Sequence, residues 1–156
     1  MAVEVLEKTE SYAIAVWRRV MVLVWRGPLR AAGVDRSQAL LRAWVRERPG
    51  AVVMLVVVSR QLPGPPDEET RAAMARAAAD PPAALAGTAT LLEAQGFVAA
   101  TVRAISSRVH RRHASGLQVK TFCGVDEAAP WAAALLADPA ITAEGLAEAI
   151  RAARAA

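Results

Sequence analysis

The side chains of this chain that are best suited to chemistry are concentrated in one basic stretch. His110 and His113 are three residues apart, and that spacing places two side chains on one face of a helix. A zinc site needs a third protein ligand, and no Cys, Asp or Glu lies nearby in sequence. Cations are favoured at the carboxyl end of a helix. We therefore predict a basic patch and no metal site, with the members Arg108, His110, Arg111, Arg112 and His113.

This basic patch has two interpretations, a solvated helix end or a surface that contacts an acidic partner, a phospholipid headgroup or nucleic acid together with Lys120. No aromatic residue interleaves it, so nucleic-acid bases have no stacking platform. The net charge is +4 and the pI about 10.2. However, nearly all the basic residues are Arg, as GC-rich coding produces, and acidic residues are dispersed among them. These features argue against a nucleic-acid-binding protein.

Two further positions could carry chemistry. Cys123 is the single cysteine, which excludes an internal disulfide and fits a reducing compartment. No base or oxyanion donor is arranged around it in sequence, so we expect a buried structural thiol rather than a nucleophile. The turn over residues 93–97 follows a predicted strand and opens a helix, where ligands often bind in open α/β sheets. Gln95, Gly96 and Phe97 are therefore candidates for a ligand rim, although no phosphate-loop pattern is present.

The elements that would position these residues begin with a hairpin. Two β-rich runs, Tyr12–Trp17 and Val20–Trp25, flank Arg18 and Arg19 in a two-residue turn. Trp17, Arg18 and Arg19 are candidate interface residues, because an exposed tryptophan beside a turn would mark a contact surface. The alternative, which we favour, is that all four tryptophans, Trp17, Trp25, Trp44 and Trp131, are core or partly buried residues. The second run is apolar on both faces, which is typical of a strand covered on two sides.

Alternating helices and strands follow. The first is a helix from about Arg36 to Arg48 with Asp35 as its N-cap, followed by a strand over Ala51–Val58 and a loop to Pro66. Next come a helix over residues 67–79, a strand over Leu85–Leu92 and a helix to about His113. The chain ends with an edge strand over Leu117–Cys123, a helix over Val125–Ala137 with Pro130 near its first turn, and a last helix capped by Thr142. Strands separated by helices imply parallel pairing. We predict an α/β fold with a mixed, mostly parallel sheet of about five strands, an N-terminal hairpin, helices packed on the sheet and an extra C-terminal helix.

The predicted organisation is a polar lead-in over residues 1–10, an α/β domain over 11–137 and a helical extension over 138–156. The glutamates of the lead-in do not suit a secretory signal. The longest apolar run, Ala51–Val58, is too short to span a membrane. We therefore expect a cytoplasmic protein.

The order of elements resembles the STAS domain of bacterial anti-sigma-factor antagonists and the related SpoIIAA-like group, which shares its fold with lipid-carrying Sec14-type domains. The resemblance covers about residues 11–137 and includes the segments 16–20, 55–58 and 93–97. It implies partner switching through a Ser or Thr phosphorylated after the central strand. The family's Asp-Ser-Ser-Gly-like stretch is absent, and Ser59 and Thr70 are the available hydroxyls beside acidic Asp67, Glu68 and Glu69. That departure argues against a phosphorylation switch.

No convergent set of His, Cys, Ser and carboxylate residues is evident in the sequence, so we expect no catalytic residues and no cofactor. The function that we predict is a non-enzymatic regulatory or protein-interaction module of STAS-like type that self-associates or binds a protein partner. An alternative is the binding of a small apolar ligand or lipid in a Sec14-like cavity, because the many alanines on the helices could leave room for one.

Overall fold

The computed structural model describes residues 2–58, 64–93 and 116–156. Within these ranges the chain forms a six-stranded sheet with two helices on each face. The strands are β1 (Glu4–Lys8), β2 (Tyr12–Trp17), β3 (Val20–Trp25), β4 (Val52–Val58), β5 (Leu85–Leu92) and β6 (Gln118–Phe122). The helices are α1 (Ala31–Arg46), α2 (Glu68–Ala79), α3 (Val125–Leu136) and α4 (Ala143–Ala155). The predicted helix that ends near His113 lies outside the described residues.

The strands lie in the sheet in the same order as in the chain, β1 to β6. The first three strands pair antiparallel, and β3 to β6 pair parallel. The mixed, mostly parallel sheet and its opening hairpin are as the sequence predicts. Every residue of β3 is buried, because helices cover both of its faces.

The sheet has one strand more than the sequence predicts. Glu4–Lys8, within the predicted polar lead-in, pairs antiparallel with β2 as an edge strand. An irregularity between Val5 and Glu7 shifts the register there. This β-bulge and the charged side chains hide the two-residue alternation by which a strand is recognised.

Two helix positions also differ from the prediction. Helix α1 begins at Ala31, so Asp35 lies inside the helix and is not its N-cap. Arg30 occupies the cap position without a side-chain hydrogen bond, and a start without such a bond leaves no signal in the sequence. Pro130 lies at the sixth residue of α3 rather than in its first turn. By contrast, Thr142 does cap α4, accepting a hydrogen bond of 3.1 Å from the Gly145 amide.

Each face of the sheet has its own hydrophobic core. On one face Met21, Leu23 and Trp25 pack under α1 and α2. On the other face Val20, Val22 and Val24 pack under α3 and α4. The alternation along β3 therefore divides the molecule into two helical layers, and α4 is part of the second layer rather than an isolated extension.

Candidate interaction surface

Trp17, the predicted exposed tryptophan of the hairpin, is buried. Its side chain is 4% exposed and belongs to the core beneath α3 and α4. A Cβ added at Gly145 of α4 would lie 3.2 Å from the Trp17 ring, which shows how closely this helix covers it. The hypothesis of an exposed Trp17 is wrong, and Trp17 follows the alternative in which the tryptophans pack in the core, because α4 packs over this end of β2.

The two arginines of the hairpin turn have different environments. Arg18 is exposed, adopts a left-handed φ of 53°, and places its guanidinium 5.4 Å from the centre of the Trp17 ring. Arg19 points inward and donates hydrogen bonds to the carbonyl oxygens of Ala51 and Leu136, at 3.3 and 3.2 Å. It also donates to the Asp138 carboxylate at 3.1 Å. Of the three predicted interface residues, Arg18 is exposed, Arg19 is half-buried and Trp17 is buried.

Asp138 is the carboxylate that binds the Arg19 guanidinium. The hydrogen bond from the Ala140 amide, followed by the hydrogen bond and charge of Arg19, lowers the pKa of the Asp138 carboxyl. The carboxylate therefore stays ionised beside Arg19 at neutral pH. The interaction connects the hairpin turn to the end of α3, so Arg19 has a structural role.

At the carboxyl ends of the parallel strands, the described side chains pair with one another. Glu93, directly after β5, forms an ion pair with Arg154 of α4. Arg26, directly after β3, donates a hydrogen bond of 3.1 Å to the Arg154 carbonyl oxygen. The candidate rim residues Gln95, Gly96 and Phe97 and the predicted basic patch over 108–113 lie outside the described residues.

Cys123 is accessible to solvent, whereas Thr70 is not. Cys123 is exposed, not buried as predicted, because it follows the last paired residue of the edge strand β6. Thr70 is fully buried, and its hydroxyl donates a hydrogen bond of 3.4 Å to the Leu29 carbonyl oxygen. A kinase therefore cannot reach Thr70 in the folded state. Ser59 lies outside the described residues.

No described side chains are arranged as a metal site: across 2–58, 64–93 and 116–156, no three His, Cys, Asp or Glu residues form a cluster that could hold an ion. None of the helices in these ranges combines the length and hydropathy needed to cross a bilayer.

The distribution of charge distinguishes one surface from the rest. Residues 125–156 carry five acidic and two basic side chains, a net charge of −3 in a chain whose net charge is +4. We refer to residues 125–156, which contain α3 and α4, as the acidic layer. Its acidic helix residues are exposed: Asp126, Glu127, Glu144 and Glu148. The acidic groups are thus concentrated in this layer, whereas the prediction from the sequence is that they are evenly dispersed among the basic ones.

The opposite helical layer contains two ion pairs that connect α1 with α2 and its end, although Glu47, Glu68 and Glu69 form no ion pair within the described residues. Arg76 of α2 forms an ion pair with Asp35 of α1 at 3.3 Å. Arg42 of α1 does so with Asp80 at 3.1 Å. In the acidic layer, Arg151 is the one cation that forms an ion pair with an acidic residue of α3 or α4, within the part of the chain described.

A groove of about 350 Å³ runs between α3 and α4 on the outside of the acidic layer. Its lining combines charged rims with small apolar side chains: Asp126, Ala129, Pro130, Ala143, Glu144, Ala147 and Arg151. Asp126, in the first turn of α3, lies 3.8 Å from Arg151, in the second half of α4. The two helices are therefore antiparallel along the groove. We refer to this feature as the α3–α4 groove.

Pro130 changes the backbone on one wall of the α3–α4 groove. A residue at this helix position would normally donate its N–H to the carbonyl oxygen of Asp126. Proline has no N–H, so that carbonyl lacks its helical partner. Asp126, which lines the groove, thus has a carbonyl oxygen without its helical donor in addition to its exposed carboxylate.

No protein-family model matches the chain, and no curated protein matches its sequence. Among solved structures, the chain is similar to an uncharacterized protein of the DUF3478 family from Shewanella loihica PV-4, which has a SpoIIAA-like fold. The TM-score is 0.52 at 13% sequence identity, and the match covers 84% of this chain and 92% of that chain. The chain therefore has a SpoIIAA-like fold, as its resemblance to STAS domains implies.

The acidic layer is not among the sites predicted from the sequence, although a signal for it is present. Counting charge in windows would have revealed the acidic excess over residues 125–156. The α3–α4 groove gave no such signal, because it depends on how two amphipathic helices pack. The unusual interior position of Pro130 is recognisable only once the start of α3 at Val125 is known.

Proposed function

We propose that this domain is a non-enzymatic, cytoplasmic protein-interaction module of STAS-like type, which regulates by associating with proteins, including a second copy of itself. The observation that carries the proposal is the exposed acidic layer, with a net charge of −3 over residues 125–156. In the sequence the remaining residues, 1–124, carry a net charge of +7, of which +5 belongs to residues outside the described ranges. Complementary potentials of this kind steer protein association and fix its orientation.

A role in interaction rather than catalysis is supported by how the polar groups are used. At the carboxyl ends of the strands, Arg26, Glu93 and Arg154 are engaged with one another. In the hairpin turn, Arg19 is engaged with α3 and the residues after it. In the acidic layer the exposed carboxylates of Glu127, Glu144 and Glu148 form no ion pair within the described residues, so they are available to contact another protein.

Self-association is tested by sedimentation equilibrium at low and high ionic strength. We expect the mass to rise above the 16.5 kDa of one chain with increasing concentration at low salt. High salt should return it to the monomer, since the Debye length falls from about 10 Å at 0.1 M to about 3 Å at 1 M. A chain that stays monomeric at low salt over the whole accessible concentration range would contradict self-association.

Matched charge reversals locate the surface. Glu127→Lys with Glu148→Lys changes the acidic layer, and Glu68→Lys with Glu69→Lys makes the same change of net charge on α2. All four side chains are exposed, so both variants should fold. We expect only the first variant to lose low-salt association. Equal losses would mean that net charge, and not the acidic layer, governs association.

Binding of an apolar ligand gains no support from the packing that is described. A Cβ added at Gly33 would lie 2.6 Å from the Trp25 ring on one face of the sheet. A Cβ added at Gly87 would lie 2.4 Å from Leu135 on the other face. Native mass spectrometry separates the two interpretations, because a co-purified lipid adds its own mass to one chain and a second copy doubles the mass.

A further inference from the structure

We infer that the α3–α4 groove binds an arginine-rich segment of a protein partner. This inference rests on the proposed function, since it assumes that the domain binds proteins. It adds the surface that is used and the side chain that is recognised.

The first step is that the carboxylates of the groove are only weakly paired with cations of the same chain. Asp126 and Arg151 are 3.8 Å apart, with 93% and 59% of their side chains exposed. An ion pair this exposed contributes little to stability, so an incoming cation can displace it at small cost. Glu144 has no ion-pair partner within the described residues. The groove therefore presents two carboxylates to a basic partner.

The second step is the excess of acceptors. Asp126 lines the groove with an exposed carboxylate, and Pro130 leaves its carbonyl oxygen without a helical donor, so we count that oxygen as a second acceptor. Arginine has five N–H donors in a rigid planar fork and no acceptor, whereas the lysine ammonium is a compact point charge. Recognition by several acceptors in a fixed arrangement therefore favours arginine.

The third step is the floor. Pro130 is exposed and Ala143 is half-buried, and with the buried Ala129 and Ala147 beneath them they form an apolar lining between the charged rims. Small side chains here leave space above the helix backbones. The aliphatic stem of an arginine can cover apolar surface of this kind while its guanidinium stays at a polar rim. Charge complementarity and the shape of the groove thus favour the same occupant.

The first experiment measures binding of a fluorescein-labelled nona-arginine peptide by fluorescence anisotropy at low salt. We expect Asp126→Asn with Glu144→Gln to weaken binding by about tenfold or more, because two charge-assisted interactions are lost. The matched control, Glu68→Gln with Glu69→Gln on α2, removes the same charge and should change the Kd by less than about threefold. Equal effects of the two variants would overturn the inference.

Pro130→Ala provides a test that leaves the charge unchanged. Alanine restores the N–H at position 130, which engages the Asp126 carbonyl oxygen within the helix. We expect Tm to rise, because proline is unfavourable inside a helix, and peptide binding to weaken by about threefold or more. Undiminished binding by this variant would remove the role of the free carbonyl, and equally tight binding of nona-lysine would remove the preference for arginine.

The two proposals can fail separately. A chain that is monomeric at low salt but binds nona-arginine through Asp126 and Glu144 would retain the groove as a binding site and lose self-association. A chain that self-associates but binds the peptide equally well after both groove substitutions would retain the interaction module and lose the arginine site.

Discussion

The hydroxyl of Tyr12 donates a hydrogen bond of 2.6 Å to Oε1 of Glu7, and through it the second strand holds the first. Nε of Arg36 in α1 donates to Oε2 of the same carboxylate at 2.7 Å. Tyr12 is 9% exposed, so its hydroxyl is shielded, whereas Arg36 is largely exposed. The edge strand β1 is thus attached to both the sheet and the helical layer beside it.

Tyr12→Phe should destabilise the protein by about 1.5 kcal/mol near neutral pH, because a hydrogen bond to a charged acceptor is lost. The Tyr12 bond, followed by that of Arg36, lowers the pKa of the Glu7 carboxyl. A lowered pKa contributes stability above the ordinary glutamate value of about 4.3, and that contribution disappears as the pH falls through the lowered pKa. Urea unfolding of both proteins across the acid range measures it. A difference between them that does not shrink on acidification would contradict this coupling.

Gly87 lies where β5 passes beneath α3. An added Cβ would lie 2.4 Å from Cδ2 of Leu135 and 2.8 Å from Cη2 of Trp131, so Gly87→Ala should cost about 1–3 kcal/mol through overpacking. Gly27→Ala is the control, since its nearest contact would be 3.4 Å. Thermal unfolding compares the two. If Gly87→Ala unfolds at the temperature of the control, α3 does not pack on β5 as described.

The adjacent arginines of the hairpin turn provide an internal comparison. Arg19→Ala removes hydrogen bonds to Ala51, Leu136 and Asp138, and we expect a loss of about 2–4 kcal/mol. Arg18→Ala removes an exposed cation over Trp17 and should cost less than about 1 kcal/mol. Chemical denaturation distinguishes them. Similar losses of stability for both variants would mean that the hydrogen bonds of Arg19 do not stabilise the protein.

Trp17→Ala should remove about 3–5 kcal/mol of stability, since it leaves a large cavity under α4. If Trp17 were an interface residue, as the sequence suggests for an exposed tryptophan, the substitution would weaken association more than it reduces stability. Parallel measurements of unfolding and of sedimentation decide the matter. A variant that is fully stable but no longer associates would restore Trp17 as an interface residue.

Much of the fold could be predicted because the apolar runs are unambiguous. Val20–Trp25 and the run beginning at Ala51 are continuous and β-branched, which indicates strands buried on both faces, and they are neighbours in the sheet. Thr142 before a helical stripe predicted the start of α4 correctly. Where local chemistry and tertiary packing favour the same conformation, the sequence is sufficient.

The predictions that failed have a common cause, which is that elements distant in the sequence determine whether a residue is buried or exposed. The alternation along β2 places Trp17 on one face, but only the packing of α4 determines that this face is covered. Cys123 is exposed because its strand lies at the edge of the sheet. The α3–α4 groove likewise arises between two helices that the sequence predicts separately.

The sequential order of the strands has a consequence for biosynthesis. Because β1 to β6 are neighbours in chain order, each strand can pair with the one that left the ribosome just before it, and the sheet can grow without threading. The exception is α4, which covers β2 and β3 although more than a hundred residues separate them. Until that helix emerges, Trp17 and Val22 have no cover, so a nascent chain stalled before residue 143 should be a preferred client of chaperones.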